Sequence, residues 1–142
     1  MIRDYEQYGT PAKHMLKKIA AELNAPEDLL QAVWITRSVF MAIRDVISLD
    51  DSVKLIERLP EDIRMLYTDG WDRSISRKRY ETAENFYNAV RNHSETLPLD
   101  FFDDTQTRQV IQAVFKVLRT TVDAELLDEI KDQLPSALAA SV

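Results

Sequence analysis

Four adjacent carboxylate pairs, Glu27-Asp28, Asp50-Asp51, Glu61-Asp62 and Asp103-Asp104, are the residues whose spacing best suits acid–base chemistry. Two neighbouring carboxyl groups can hold one proton between them and so divide into an acid and a base. Each pair also falls where a helix is expected to begin. There a side-chain oxygen can cap a free N–H, and negative charge offsets the helix dipole. The capping reading is preferred because it accounts for all four pairs at once. The two histidines, His14 and His93, make no metal motif: a di-iron bundle needs a Glu three residues before the His, and those positions are Pro11 and Val90. The chain has no cysteine, which removes disulfides, thiolate nucleophiles and cysteine metal sites. With only Gly9 and Gly70, it has no Gly-rich loop to cradle phosphates. No catalytic residue, metal or cofactor is expected.

Cationic and aromatic residues offer binding chemistry instead. The segment Trp71-Asp72-Arg73-Ser74-Ile75-Ser76-Arg77-Lys78-Arg79-Tyr80 places four basic residues between two aromatics in an otherwise acidic chain. Arg73, Arg77 and Arg79 are candidates for gripping phosphate, RNA or an acidic protein surface. A solvated connector pinned at its aromatic ends explains the same residues. Just upstream, Arg64, Tyr67 and Trp71 recur at helical spacing and have the composition of an interface hot spot. Packing where two halves of the chain meet explains the aromatics equally well.

Arg44 and Arg119 form a further pair. Each follows a phenylalanine by four residues, at the edge of an apolar helix face. Two guanidinium groups could hold one anion between them. Alternatively, each could bind a carboxylate or the C-terminal carbonyls of a helix, its stem lying on the core. The architectural alternative is favoured, because a position present twice points to what both copies need.

The elements that position these residues follow from internal similarity. At an offset of 75 positions, Val39-Phe40 falls on Val114-Phe115, Arg44 on Arg119 and Leu59-Pro60 on Leu134-Pro135. Ile43 meets Leu118, Ile47 meets Val122, Leu55 meets Ile130 and Ile63 meets Leu138, so apolar positions keep the same register. Asp28 and Gln31 land on Asp103 and Gln106. This pattern reads as a duplication.

Each copy reads as four helices. Val39, Phe40, Ile43 and Ile47 share one helical face, and their counterparts repeat it. Ser48 or Asp50, and Asp123, are placed to cap the next helix. Pro60 and Pro135 end that helix and begin another. An earlier helix is expected over about 11–23 and again over about 82–92, with breaks at Asn24-Ala25-Pro26 and Leu97-Pro98-Leu99. Gly70 is the expected residue just past a helix C-terminus.

The 142 residues, 45% hydrophobic and 30% charged, suit an ordinary globular chain. Two glycines and five prolines are too few for the turns of an all-β fold. Net charge is −6 and the isoelectric point is near 4.9, which disfavours nucleic acid and anionic membrane as partners. Residues 1–71 and 72–142 each carry nine basic and twelve acidic residues, so neither half is a charged arm. No apolar run suits a signal peptide or a bilayer span, and the lack of cysteine suits a reducing cytoplasm.

The stretch Leu59-Pro60-Glu61-Asp62-Ile63-Arg64-Met65-Leu66-Tyr67-Thr68-Asp69-Gly70-Trp71 resembles the hallmark of a bacterial family called domain of unknown function 2267. Arg44, Phe86 and Gln133-Leu134-Pro135 extend the match in order and spacing, over roughly residues 28–139. Met65 stands where a glycine is common, and Arg58 where a Gln often precedes Leu-Pro. The resemblance implies an all-α fold and a bacterial, cytoplasmic setting, with an association of some members with stress-related proteins. It implies no activity.

The expectation is therefore an all-α chain forming a single domain. Two tandem four-helix repeats, approximately 11–71 and 80–140, are joined by a basic linker, 72–79. They share one core about a pseudo-two-fold axis. The expected function is protein interaction or self-association through Arg64, Tyr67, Trp71 and the linker arginines. The alternative is a small-ligand or anion sensor using Arg44 and Arg119 between the repeats.

Overall fold

Helix α2, Leu29–Val46, lies at the centre because it is apolar nearly all round. Twelve of its residues are buried, from Ala32 through Val46, and such a helix needs neighbours on every side. It packs against α1 (Thr10–Glu22), α4 (Glu61–Thr68), α5 (Ala83–Asn92) and α6 (Asp104–Thr121). Helices α3 (Leu49–Arg58) and α7 (Ala124–Lys131) pack on each other, and α8 (Ser136–Ser141) packs on α5. The computed structural model describes residues 5–74, 76–93 and 103–142, and among them the fold is all-α, with eight α-helices and a short 3₁₀ turn at Tyr5–Gln7. The expected break at Leu97-Pro98-Leu99 lies outside the described residues.

The helix boundaries follow local chemistry. Asp28 caps α2 by accepting from the Gln31 N–H at 3.0 Å, and Ser48 caps α3 by accepting from the Asp51 N–H at 3.2 Å. Thr82 and Asn85 form a capping box on α5, as Asp103 and Gln106 do on α6. Asp123 caps α7. Pro60 and Pro135 occupy the N-cap positions of α4 and α8, so each new helix begins one residue beyond its proline. The carboxylate pairs thus serve helix starts. Gly70 takes φ +67° two residues past the end of α4, a conformation that any side chain would strain.

The starts of the later helices repeat those of the earlier ones. Leu29 and Asp104 open α2 and α6, each 18 residues long; Leu49 and Ala124 open α3 and α7; Glu61 and Ser136 open α4 and α8.

One buried cluster draws on all eight helices, with Phe40, Tyr67, Phe86 and Phe115 among its largest fully buried side chains. Burial of each such ring contributes about 1.5–3 kcal/mol. Tyr67 packs on Phe40 with ring centroids 5.6 Å apart. Its hydroxyl meets the Ser52 hydroxyl at 2.7 Å, which satisfies two polar groups inside the core. Polar contacts also cross between α3 and α7: Arg58 Nε reaches Asp123 Oδ1 at 2.6 Å, and Gln133 Nε2 reaches Asp51 Oδ2 at 2.6 Å. Among the described residues, no helix is long and apolar enough to cross a membrane.

Candidate functional site

The end of α2, the start of α3 and the chain beyond α4 enclose a cleft of about 170 Å³. Its position follows from Gly70, whose left-handed turn directs the chain from α4 across the C-terminus of α2. Arg44 and Asp45 come from α2, Leu49 from α3, and Trp71, Asp72, Arg73, Arg77 and Lys78 from the linker.

Most of these groups are held in place. Arg44 Nη1 donates to the carbonyls of Tyr67 at 2.8 Å and Asp69 at 2.7 Å, closing the C-terminus of α4. Burial draws its pKa below the usual value, and neighbouring Asp45 opposes that shift. Arg77 donates from Nε and Nη2 to the Val46 carbonyl at 3.1 and 2.8 Å, and from Nη2 to Gln133 Oε1 at 3.1 Å. The linker is tied down again where the Lys78 N–H donates to the Asp45 carbonyl at 2.7 Å. The half-buried Trp71 ring meets Tyr67 edge to face at 5.9 Å, and the Arg73 guanidinium lies 5.1 Å from the Trp71 ring centroid.

The two acids at the cleft are engaged elsewhere. Asp45 Oδ2 lies 2.7 Å from His93 Nε2 and accepts from the Tyr80 hydroxyl at 3.2 Å. Burial works to raise the Asp45 pKa, but the His93 contact and the positive charge nearby outweigh it and hold the carboxyl below its ordinary range. Burial, with Asp45 beside it, pushes the Tyr80 hydroxyl up to about 12. Asp72 Oδ1 accepts from the Ser74 N–H at 2.9 Å and the Ser74 hydroxyl at 2.6 Å, which lowers its pKa.

The residues singled out in the sequence divide accordingly. Arg44, Trp71, Arg73 and Arg77 meet at the cleft. Tyr67 lies beneath it and is 0% exposed, so it supports Trp71 and presents no surface to a partner. Arg64 is exposed and turns back along its own helix pair, donating to the carbonyls of Leu59 and Glu57 at 3.2 and 3.3 Å. Arg79 is exposed and lines a second cleft of about 680 Å³ against residues 132–136, with Arg77 and Lys78 on the shared wall. Arg119 is absent from the lining of the first cleft and donates to the Val142 carbonyl. Arg44 and Arg119 therefore each hold the end of a different helix, α4 and α8.

Four contributing residues are not among those the sequence singles out. Lys78 lies within the basic run, where nothing in its spacing sets it apart. Asp45 and His93 lie 48 positions apart and carry no mutual spacing signal. Arg37 was missed although it interrupts the apolar run of α2; it is 5% exposed and pairs with Asp69 at 3.0 Å. That interruption is a signal, since a charge within a buried face needs a partner.

A family model described as "Uncharacterized conserved protein (DUF2267)" matches residues 12–140, a span that includes the cleft and all eight helices in whole or in part. No curated protein matches the chain.

Proposed function

The chain belongs to the DUF2267 family, and we propose that it is a protein-interaction module whose contact face is the cleft between α2, α3 and the linker. One observation carries this reading. Arg44, Arg73, Arg77 and Lys78 converge around Trp71 in a chain whose net charge is −6. Concentrating cations there against the overall charge serves recognition better than solubility. A half-buried Trp beside arginine is also the usual composition of an interface anchor.

The scaffold behind that face is a duplicated four-helix unit, folded as one domain about a pseudo-two-fold axis. Helix starts recurring at the same interval support this, and so does the packing. Exchanging α1–α4 for α5–α8 converts the α1/α2 contact into α5/α6, α1/α4 into α5/α8 and α1/α6 into α5/α2, whereas α2/α4 and α6/α7 have no counterpart of like extent. The α2/α6 and α3/α7 contacts convert into themselves. The basic, aromatic-bearing connector occurs once, so it gives one copy a feature that the other lacks.

The test is affinity capture with the wild-type chain, Trp71→Ala and Arg73→Gln, with helicity checked by circular dichroism and self-association by sedimentation. Loss of the same partner, or of the same dimer, in both folded variants is expected. An unchanged partner set and oligomeric state in both would overturn the reading.

A further inference from the structure

We propose that the cleft receives a carboxylate side chain from an acidic segment of a partner protein, with an apolar residue of that segment resting on α3. This rests on the reading of the cleft as a partner site and specifies what enters it.

The charge balance points to an anion. Four cations face two acids: Asp45 is bonded to His93 and Tyr80 and also attracts Arg44 and Lys78, and Asp72 is bonded to Ser74, so the lining keeps an excess of positive charge. Arg44 and Arg77 spend their hydrogen bonds on backbone carbonyls and the Gln133 amide, and among the described residues neither is in hydrogen-bond or ion-pair contact with a carboxylate, Asp45 acting on Arg44 only through its nearby charge. Arg73 is exposed and has no hydrogen bond or ion pair among the described residues; its guanidinium lies over the Trp71 ring. The Lys78 ammonium likewise has no hydrogen-bond or ion-pair partner among the described residues, while its backbone is fixed by Asp45. The cleft thus combines two cations fixed in position with two whose donors are uncommitted.

Size points to a side chain and not a free metabolite. Sites for drug-sized molecules run to about 300–1,000 Å³, whereas this cleft holds about 170 Å³. That is room for the end of one acidic side chain, and the remaining affinity must come from the surface alongside. Leu49, 48% exposed, borders the cleft, and Val53, 37% exposed, lies one turn further along α3. An acidic residue followed by an apolar one matches that order. A polyanion such as nucleic acid would meet the net negative charge of the rest of the chain.

The experiment is calorimetric titration of the full chain, at low and high salt, with a short synthetic Glu/Leu-rich peptide. Its Gln/Leu and Lys/Leu analogues, free acetate and a single-stranded oligonucleotide are titrated alongside. The Glu peptide is expected to bind about tenfold more tightly than the Gln analogue at low salt and to lose that advantage at high salt. Arg73→Gln and Lys78→Gln, which remove no hydrogen bond among the described residues, are each expected to weaken it about fivefold, and Arg119→Gln to leave it unchanged. Equal binding of the Glu and Gln peptides, no binding of the Glu peptide, tighter binding of the oligonucleotide, or saturation by acetate at the same concentration would each overturn the proposal. If the Glu peptide fails while Trp71→Ala and Arg73→Gln still lose a captured partner, the acidic class falls and the partner site stands. If the peptide binds while both variants keep every partner, the partner site falls.

Discussion

Arg44 closes helix α4 by donating through one nitrogen to the backbone carbonyl of Asp69 at 2.7 Å, and the same nitrogen serves Tyr67 at 2.8 Å. Those carbonyls are among the ones a helix end leaves unpaired, and a charged donor there is worth more than a neutral one. Arg44→Ala should cost about 2–3 kcal/mol in urea unfolding, because the two acceptors lose a part-buried partner. Arg119→Ala, at an exposed position with one carbonyl contact among the described residues, should cost under about 1 kcal/mol. Equal costs would show that the two arginines do not differ in the way their burial implies.

Tyr67 gives a prediction that separates packing from recognition. Its ring is fully buried on Phe40, and its hydroxyl is satisfied by Ser52. Tyr67→Phe should destabilise by about 1–2 kcal/mol, since the Ser52 hydroxyl is left without its partner in the core. Tyr67→Ala should cost about 3–5 kcal/mol through the cavity it opens. Partner capture by the folded Tyr67→Phe variant should match wild type, because the hydroxyl lies inside the protein.

Asp69 supplies a pH dependence. The hydrogen bond from Arg37 holds its carboxyl below the ordinary carboxylate pKa. A group depressed in the folded state stabilises fully above its unfolded pKa, about 3.9 for Asp. That contribution declines as pH falls towards the folded value and is gone below it. The stability gap between wild type and Asp69→Asn should therefore be constant above about pH 5 and shrink steadily below about pH 4. A gap that widened on acidification would contradict the Arg37–Asp69 pairing.

The elements were legible wherever one residue constrains its own backbone. Pro60 and Pro135, Gly70 and the caps Ser48 and Asp123 mark boundaries from local geometry alone, and the structure places each at a helix end. Tyr67 was legible only in part. Ile63, Leu66 and Tyr67 follow one apolar face, but Arg64, Tyr67 and Trp71 fit a second line on the same helix. Choosing between them needed Phe40, which lies on another helix. The Asp45–His93 and Arg37–Asp69 pairs could not be read, because their members lie 48 and 32 positions apart and meet only once α2 is surrounded.

Gln133 joins these layers and gives the last prediction. Its Nε2 donates to Asp51 Oδ2 at 2.6 Å and to the Glu129 carbonyl at 2.9 Å, while its Oε1 accepts from the Ser48 N–H at 2.6 Å and from Arg77 Nη2 at 3.1 Å. One amide thus ties α7 to the start of α3 and to the linker that walls the cleft. Gln133→Leu keeps the volume but leaves the Ser48 N–H and the 8%-exposed Asp51 without that partner, a cost of about 1–3 kcal/mol. Gln133→Glu keeps an acceptor for Ser48 and Arg77 but adds a carboxylate beside Asp51, which already lies next to Glu129. At neutral pH it should therefore be the less stable of the two variants. Near about pH 4 the new carboxyl takes up a proton and can donate to Asp51 again, so the order should narrow or reverse on acidification. Urea unfolding of both variants across that range measures the crossing, and two parallel pH profiles would show that the Gln133–Asp51 bond does not join α7 to α3 in solution.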